Sequence, residues 1–230
     1  MNNMKMTVIV VGASRGIGAS VAQHFHSNGH KVFAVSRTHS KVGSWIKANI
    51  SYPDGIKTVA DSVGDETIDA LLFMGGVWET GAFTESYDFM NSSDAETRFV
   101  ISVNTIAPIE ITRVLAPNLL QAANPRAIYI GALTGLDNRA SVEVANTASK
   151  SGLRGAVQAL RIAFDRKIGF TVINPGNVET EEVLSDIREG RFPPQKAIPL
   201  SDLVGSIEWL LNLSPHVDVQ DLNLQQRSSG

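Results

Sequence analysis

Short apolar runs rich in β-branched residues alternate along the chain with longer segments whose apolar residues recur every three or four positions. Thr7–Val11 is the first run; Val8-Ile9-Val10-Val11 is too short for a helix and apolar on both faces, as a buried parallel strand must be. Gly16 to about Asn28 follows a helical period, with Ile17, Val21 and Phe25 four apart and Gly29 as the C-terminal stop. Val32–Val35, Ile68–Met74, Ala127–Ile130 and Phe170–Ile173 read as further strands, and Val217–Leu224 as a last one. Ser93-Asp94-Ala95-Glu96 is a capping box opening a helix towards Asn104. Ala107–Ala123 continues helically, with Pro108 starting or kinking a segment and Pro117 disturbing it. A long helix covers about Val142 to Asp165, and Ser201 caps another through Leu211. Such alternation predicts a parallel sheet with helices on both faces: one doubly wound α/β domain over residues 1–230, without linker, repeat or low-complexity tract.

Composition narrows the class. The 230 residues are 43% hydrophobic and 19% charged, which excludes a disordered or fibrous chain. Twenty Lys+Arg against 23 Asp+Glu leave a net charge of −3, with no basic excess for a nucleic-acid partner. No apolar run approaches the roughly 20 residues of a membrane span. Met1-Asn2-Asn3-Met4-Lys5 leads into the first strand without the apolar core of a signal peptide. Zero cysteines remove disulfides, thiolate metal sites and thiol nucleophiles, a usage that fits the cytoplasm. His26 and His30 are spaced to share a helix face, but Gly29 intervenes at the helix end. They are expected as a solvated patch, and no metal site is predicted.

In doubly wound sheets, ligands sit beyond the carboxyl ends of the strands. Those positions here are Gly12–Gly18, Ser36–Thr38, Gly75–Gly76, Gly131–Gly135 and Asn174–Thr180, four of them glycine-rich. Gly12-Ala13-Ser14-Arg15-Gly16-Ile17-Gly18 stands between the first strand and the first helix. There Gly12 permits a tight turn, Gly16 a close approach of main chain to pyrophosphate, and Gly18 close helix–strand contact. The helix N-terminus offers unpaired N–H donors and a partial positive charge. At the end of the second strand, where an acid binds the ribose hydroxyls of NAD, the chain has Ser36-Arg37-Thr38 instead. Arg37 and Arg15 are placed to clamp a 2′-phosphate, so NADP(H) is preferred over NAD(H).

With these residues the sequence resembles the short-chain dehydrogenase/reductase family over nearly its whole length. Gly12–Gly18 matches that family's TGxxxGIG pattern, with Val11 in place of the Thr. The resemblance implies a Rossmann fold in which Gly12, Ser14, Arg15, Gly16, Ile17, Gly18, Arg37 and Gly75 contact the dinucleotide. It further implies that Asn104 supports an active-site water and the catalytic Lys. Asn174-Pro175-Gly176-Asn177-Val178-Glu179-Thr180 is similar to the family's PGxVxT segment, which brings Pro175, Gly176, Val178 and Thr180 to the cofactor. Asn49 falls where an Asp normally touches the adenine. Lys150 matches the Lys of YxxxK, but Asn146 stands at the Tyr position, Ala132 at the catalytic Ser, and Phe73-Met74-Gly75-Gly76 replaces NNAG. Tyr52, Tyr87 and Tyr129 all lie outside the YxxxK spacing.

In the family the Tyr gives the proton that follows hydride transfer, and the Ser holds the carbonyl. An amide at position 146 donates a hydrogen bond but is no acid at neutral pH. Glu143, one turn earlier, is either a base at the cleft or a solvated residue, and the solvated reading is favoured. Thr134, Thr147 and Ser149 carry hydroxyls equally explained as turn or helix residues. Residues 179–200, with Glu179, Glu181, Glu182 and Pro193-Pro194, are the expected substrate lid. The retained cofactor residues favour an NADP(H)-binding oxidoreductase acting on a small carbonyl or alcohol through a non-standard site. Ala132 and Asn146 favour a pseudo-enzyme that senses nucleotide or binds a partner, or an enzyme of non-redox chemistry. The resemblance also implies a homodimer or homotetramer paired through the helices near 94–123 and 142–165.

Overall fold

The computed structural model describes residues 5–192 and 194–227, so the opening Met1–Met4 and Pro193 of the expected lid lie outside the described residues. Seven strands form one sheet: β1 (Thr7–Val11), β2 (Lys31–Ser36), β3 (Ser44–Lys47), β4 (Ala70–Phe73), β5 (Arg126–Ile130), β6 (Gly169–Pro175) and β7 (Asp221–Leu224). Their order is β3-β2-β1-β4-β5-β6-β7 and every pairing is parallel. Strand order therefore reverses between β1 and β4, which opens a crevice at their carboxyl ends.

The helices are α1 (Gly16–Ser27), α2 (Pro53–Val63), α3 (Asp94–Ile101), α4 (Ala107–Leu119), α5 (Val144–Ala163), α6 (Glu181–Arg188) and α7 (Leu200–Leu211). Alternate residues of each central strand feed two cores. Ile9, Val11, Leu71 and Phe73 pack with Ile111, Leu115 and Leu153 of α4 and α5 on one face. Val8, Val10 and Leu72 pack with Val21, Phe25 and Ile207 of α1 and α7 on the other. Each such fully buried aliphatic side chain contributes roughly 1.5–3 kcal/mol.

Several expectations are corrected. Strand β3 and helix α2 were not foreseen: β3 is a four-residue edge strand with only Ile46 buried, too polar to show a period. Helix α2 begins at Pro53 and shows its apolar face only through Ile56, Val59 and Val63. Helix α7 starts at Leu200 after Pro199, so Ser201 lies inside its first turn and does not cap it. His30 is no part of a solvated patch; it is buried, and its Nδ1 accepts from the Met6 N–H at 3.1 Å. Ser93 does cap α3, accepting from the Glu96 N–H at 3.1 Å. A π-helical turn, Ser102–Ile106, joins α3 to α4 without a break. The continuous run Asp94–Leu119 is thus long and apolar enough to cross a membrane by length and composition, but half of its most apolar stretch is buried inside the protein. Helix α4 carries Pro117 internally and ends at Leu119, four residues before the expected Ala123.

Candidate active site

The turn after β1 is closed by main chain against main chain. Gly12 has φ +91° and Gly16 φ +53°, conformations that favour glycine. A Cβ at position 12 would lie 2.7 Å from Gly75 Cα, and one at position 18 would lie 2.2 Å from Gly12 O. Gly12 N–H and Ala13 N–H both donate to Val35 O, tying the turn to β2. Among the described residues no side chain caps α1, and its first turn holds no acid. The ladder opens with Ala19 N–H to Arg15 O at 3.1 Å, so the N–H groups of Gly16, Ile17 and Gly18 lie outside it. A Cβ at Gly16 would also stand 3.9 Å from Glu182 Oε2, the one carboxylate brought to this turn among the described residues; main chain otherwise forms the cradle, which suits an anionic phosphate group.

Other residues of the sequence reading converge on the turn. A Cβ at Gly16 would stand 3.7 Å from Thr180 Cγ2, so the 174–180 segment faces the loop. Thr180 caps α6 by accepting from Val183 N–H at 3.3 Å, and Val178 is buried and bridges to Ile198. Arg15 is exposed and pairs with Glu182 at 2.7 Å, linking the phosphate-type loop to α6. Arg37 is exposed and has no ion-pair partner among the described residues. Ser14 and Arg15 also border a hollow of about 620 Å³ that Ser40, Lys41 and Ser201 help to line. Lys41 was not anticipated, because nothing in its local sequence marks it. Asn49 is exposed and its Oδ1 accepts from Ser51 N–H and Ser51 Oγ, so it is folded into its own turn.

The other end of the cleft is built from side chains. Lys150 is buried and donates from Nζ to Ile130 O at 3.0 Å. Burial pushes its ammonium down to about 8, close to the pH at which proton exchange is useful. Asn104, on the π-helical turn, holds the main chain of Val77: Oδ1 accepts from Val77 N–H at 2.9 Å and Nδ2 donates to Val77 O at 2.7 Å. Its Nδ2 also donates to Ser149 Oγ at 3.0 Å. A Cβ at Gly76 would lie 3.3 Å from Lys150 Nζ and 3.7 Å from Asn104 Oδ1, so both residues flank Gly76. Ala132 precedes a short 3-10 turn, Leu133–Gly135, in which Thr134 Oγ1 is buried without a hydrogen-bond partner among the described residues.

Helix α5, which carries Asn146 and Lys150, begins against a loop the sequence reading did not single out. Glu79 is buried, and its Oε1 accepts from Ala145 N–H at 2.7 Å and Asn146 N–H at 3.1 Å. Tyr87 Oη accepts from Val144 N–H at 3.2 Å. Glu143 corrects the solvated reading: it is buried, and its Oε1 accepts from Phe83 N–H at 2.8 Å. Tyr129 is sealed in the core with its hydroxyl against Thr112, and burial holds its proton well above the usual phenol range. Glu179, Glu181 and Glu182 are exposed, as the charge run implied. Trp78, Glu79 and Phe83 border an open hollow of about 260 Å³ with Asp186, Arg191 and Phe192 of the lid region.

The family profile described as short chain dehydrogenase matches residues 6–190. The chain is 26% identical over 224 residues to the 3-oxoacyl-(acyl-carrier-protein) reductase FabG of Escherichia coli (strain K12), covering 90% of this chain and 88% of that protein. Among solved structures it is similar to ElxO with NADP bound, with a TM-score of 0.82 at 18% identity over 96% of this chain and 98% of that one. It is also similar to a 4-hydroxyisoleucine dehydrogenase complexed with NADH, with a TM-score of 0.79 at 22% identity over 96% and 97% of the two chains.

Proposed function

Because the chain belongs to the short-chain dehydrogenase family, we propose that it is an oxidoreductase that binds NADP(H) in preference to NAD(H) and acts on a small carbonyl or alcohol through a non-standard active site. The observation that carries this reading is the glycine cradle: positions 12 and 18 have no room for a side chain, and the α1 N-terminus above them is uncapped. The N–H groups of Gly16, Ile17 and Gly18, left outside the helix ladder, would hold the pyrophosphate, while Gly12 and Ala13 tie the turn to β2; Thr180 and Val178 would border the nicotinamide end, and Gly75 would floor the crevice. Arg15 and Arg37 receive the 2′-phosphate, a role for which a guanidinium fork is suited. ElxO with NADP bound and 4-hydroxyisoleucine dehydrogenase complexed with NADH show that the fold serves both coenzymes, so the preference rests on Arg15 and Arg37.

When bound, the nicotinamide supplies or accepts hydride. The chain's own residues then manage charge at the reacting oxygen. Asn146 offers an amide donor where the family has its Tyr, and Ala132 removes the hydroxyl of the family Ser. Lys150, one turn along the same helix, keeps a cation beside the site and is the proton-bearing group there. Its hydrogen bond to Ile130 O and the clamp of Asn104 on Val77 fix that end of the cleft. Ile106 and Ile162, exposed on the two long helical runs, support pairing with a second copy. The cytoplasm is the proposed setting, with neither a membrane nor a nucleic acid as partner.

Ala132 and Asn146 also favour a second reading, a catalytically silent family member that reports nucleotide occupancy. A carbonyl panel assayed by NADPH oxidation separates the two: turnover on any member supports the enzyme, whereas binding without turnover supports the silent form. Restoring Ala132→Ser together with Asn146→Tyr is expected to raise carbonyl reduction by at least about 100-fold, the lower end of what a general acid contributes. An unchanged rate in a folded double variant contradicts the placement of these residues at the reacting carbon.

A further inference from the structure

We propose that the substrate of this oxidoreductase site carries a protonated amine, and that Glu79 is the residue that receives it. The inference rests on the reading above and adds the substrate's chemical class. Glu79 is only 2% exposed, and while its Oε1 is occupied by the two N–H groups of α5, its Oε2 is buried with no partner among the described residues. A buried carboxylate oxygen left unpaired is costly unless a donor arrives. Glu143, also 2% exposed, brings a second buried carboxyl group to the same loop through Phe83 N–H. Among the described residues, neither Glu79 nor Glu143 has a cationic side chain as partner. The one arginine lining the hollow, Arg191, is already engaged by Asp186 at 2.6 Å and by Glu189.

The walls complete the recognition chemistry. Trp78 and Phe83 meet edge to face with centroids 5.9 Å apart, and Phe83 and Phe192 lie 6.0 Å apart. Aromatic faces around an anionic acceptor favour an organic cation over a neutral donor, because rings and carboxylate both attract positive charge. A neutral hydroxyl satisfies the hydrogen bond of Oε2 but leaves the buried charge balanced only by the partial charge of the α5 N-terminus. The hollow of about 260 Å³ limits the ligand to a small one. Since Glu79 Oε1 bonds the N–H of Asn146 itself, the amine and the reacting carbon belong to the same end of the cleft.

The test uses the full chain without dinucleotide, so it stands apart from the cofactor reading, whose failure appears in nucleotide titrations instead. Isothermal titration at pH 7.5 compares benzylammonium with benzyl alcohol and benzoate. Benzylammonium is expected to bind at least about tenfold tighter than either. Glu79→Gln, which keeps an oxygen for the α5 N–H groups and removes the charge, is expected to abolish that preference. If Glu79→Gln does not fold, Phe83→Leu replaces it, with the preference falling at least about threefold. Equal or tighter binding of the alcohol or benzoate, no heat with any of the three, or a preference unchanged in the folded variant overturns the proposal.

Discussion

Two helices begin at the mouth of the same cleft, and their first turns are treated in opposite ways. Among the described residues, helix α1 has no side-chain cap, no acid in its first turn and glycines packed so closely that no Cβ fits beneath it. Helix α5 has its leading N–H groups taken by Tyr87 and Glu79, delivered by a loop about 60 residues upstream. An uncapped N-terminus keeps its partial positive charge for an arriving anion, whereas a capped one is neutralised and fixes its side chains in place. The first is a binding end made of main chain; the second is a chemical end made of buried side chains. Under the proposed function, the first would hold a cofactor and the second would select a substrate.

The sharpest way to break the binding end is Gly18→Ala, which drives a Cβ into Gly12 O. It is expected to cost about 3 kcal/mol in urea unfolding and to weaken dinucleotide binding at least about 100-fold. At the chemical end, Lys150 titrates at about 8 when folded against 10.5 in its ordinary state. Because the folded value is depressed, the unfolded chain binds more protons between these values, so the lysine makes stability rise as pH climbs from about 8 to 10.5. The gain is on the order of 3 kcal/mol, and Lys150→Met is expected to remove it in unfolding curves at pH 7.5 and 10. The smallest effect lies where the glycine loop meets α6. Arg15 and Glu182 form an exposed pair, so Glu182→Gln, which frees Arg15, is expected to tighten NADPH binding by only about two- to fivefold in fluorescence titrations.

The binding end was legible in the sequence because it is local. Gly12, Gly16 and Gly18 lie within one strand–turn–helix unit, and their placement between strand and helix points to a close approach of backbone to a phosphate. Strands β1, β2, β4, β5 and β6 were legible for the same reason, since burial on both faces leaves an unbroken apolar run. The edge strand β3 was not, because only Ile46 of its four residues is buried. The chemical end was half legible. Lys150, Asn146 and Asn104 could be placed by resemblance, but Glu79 and the burial of Glu143 depend on a loop folding back onto α5 across 66 and 60 residues. No periodicity records such a contact. An acid in a polar stretch reads as solvated until its partner is known, and so does His30, whose partner, the Met6 N–H, comes from a distant strand entrance.

The glycine cradle is most directly examined by calorimetric titration of the folded wild-type chain with NADPH and, in parallel, NADH. Saturable heat with NADPH, and binding at least about tenfold tighter than NADH, is the expected result. Absence of heat with both coenzymes at millimolar concentration would contradict it.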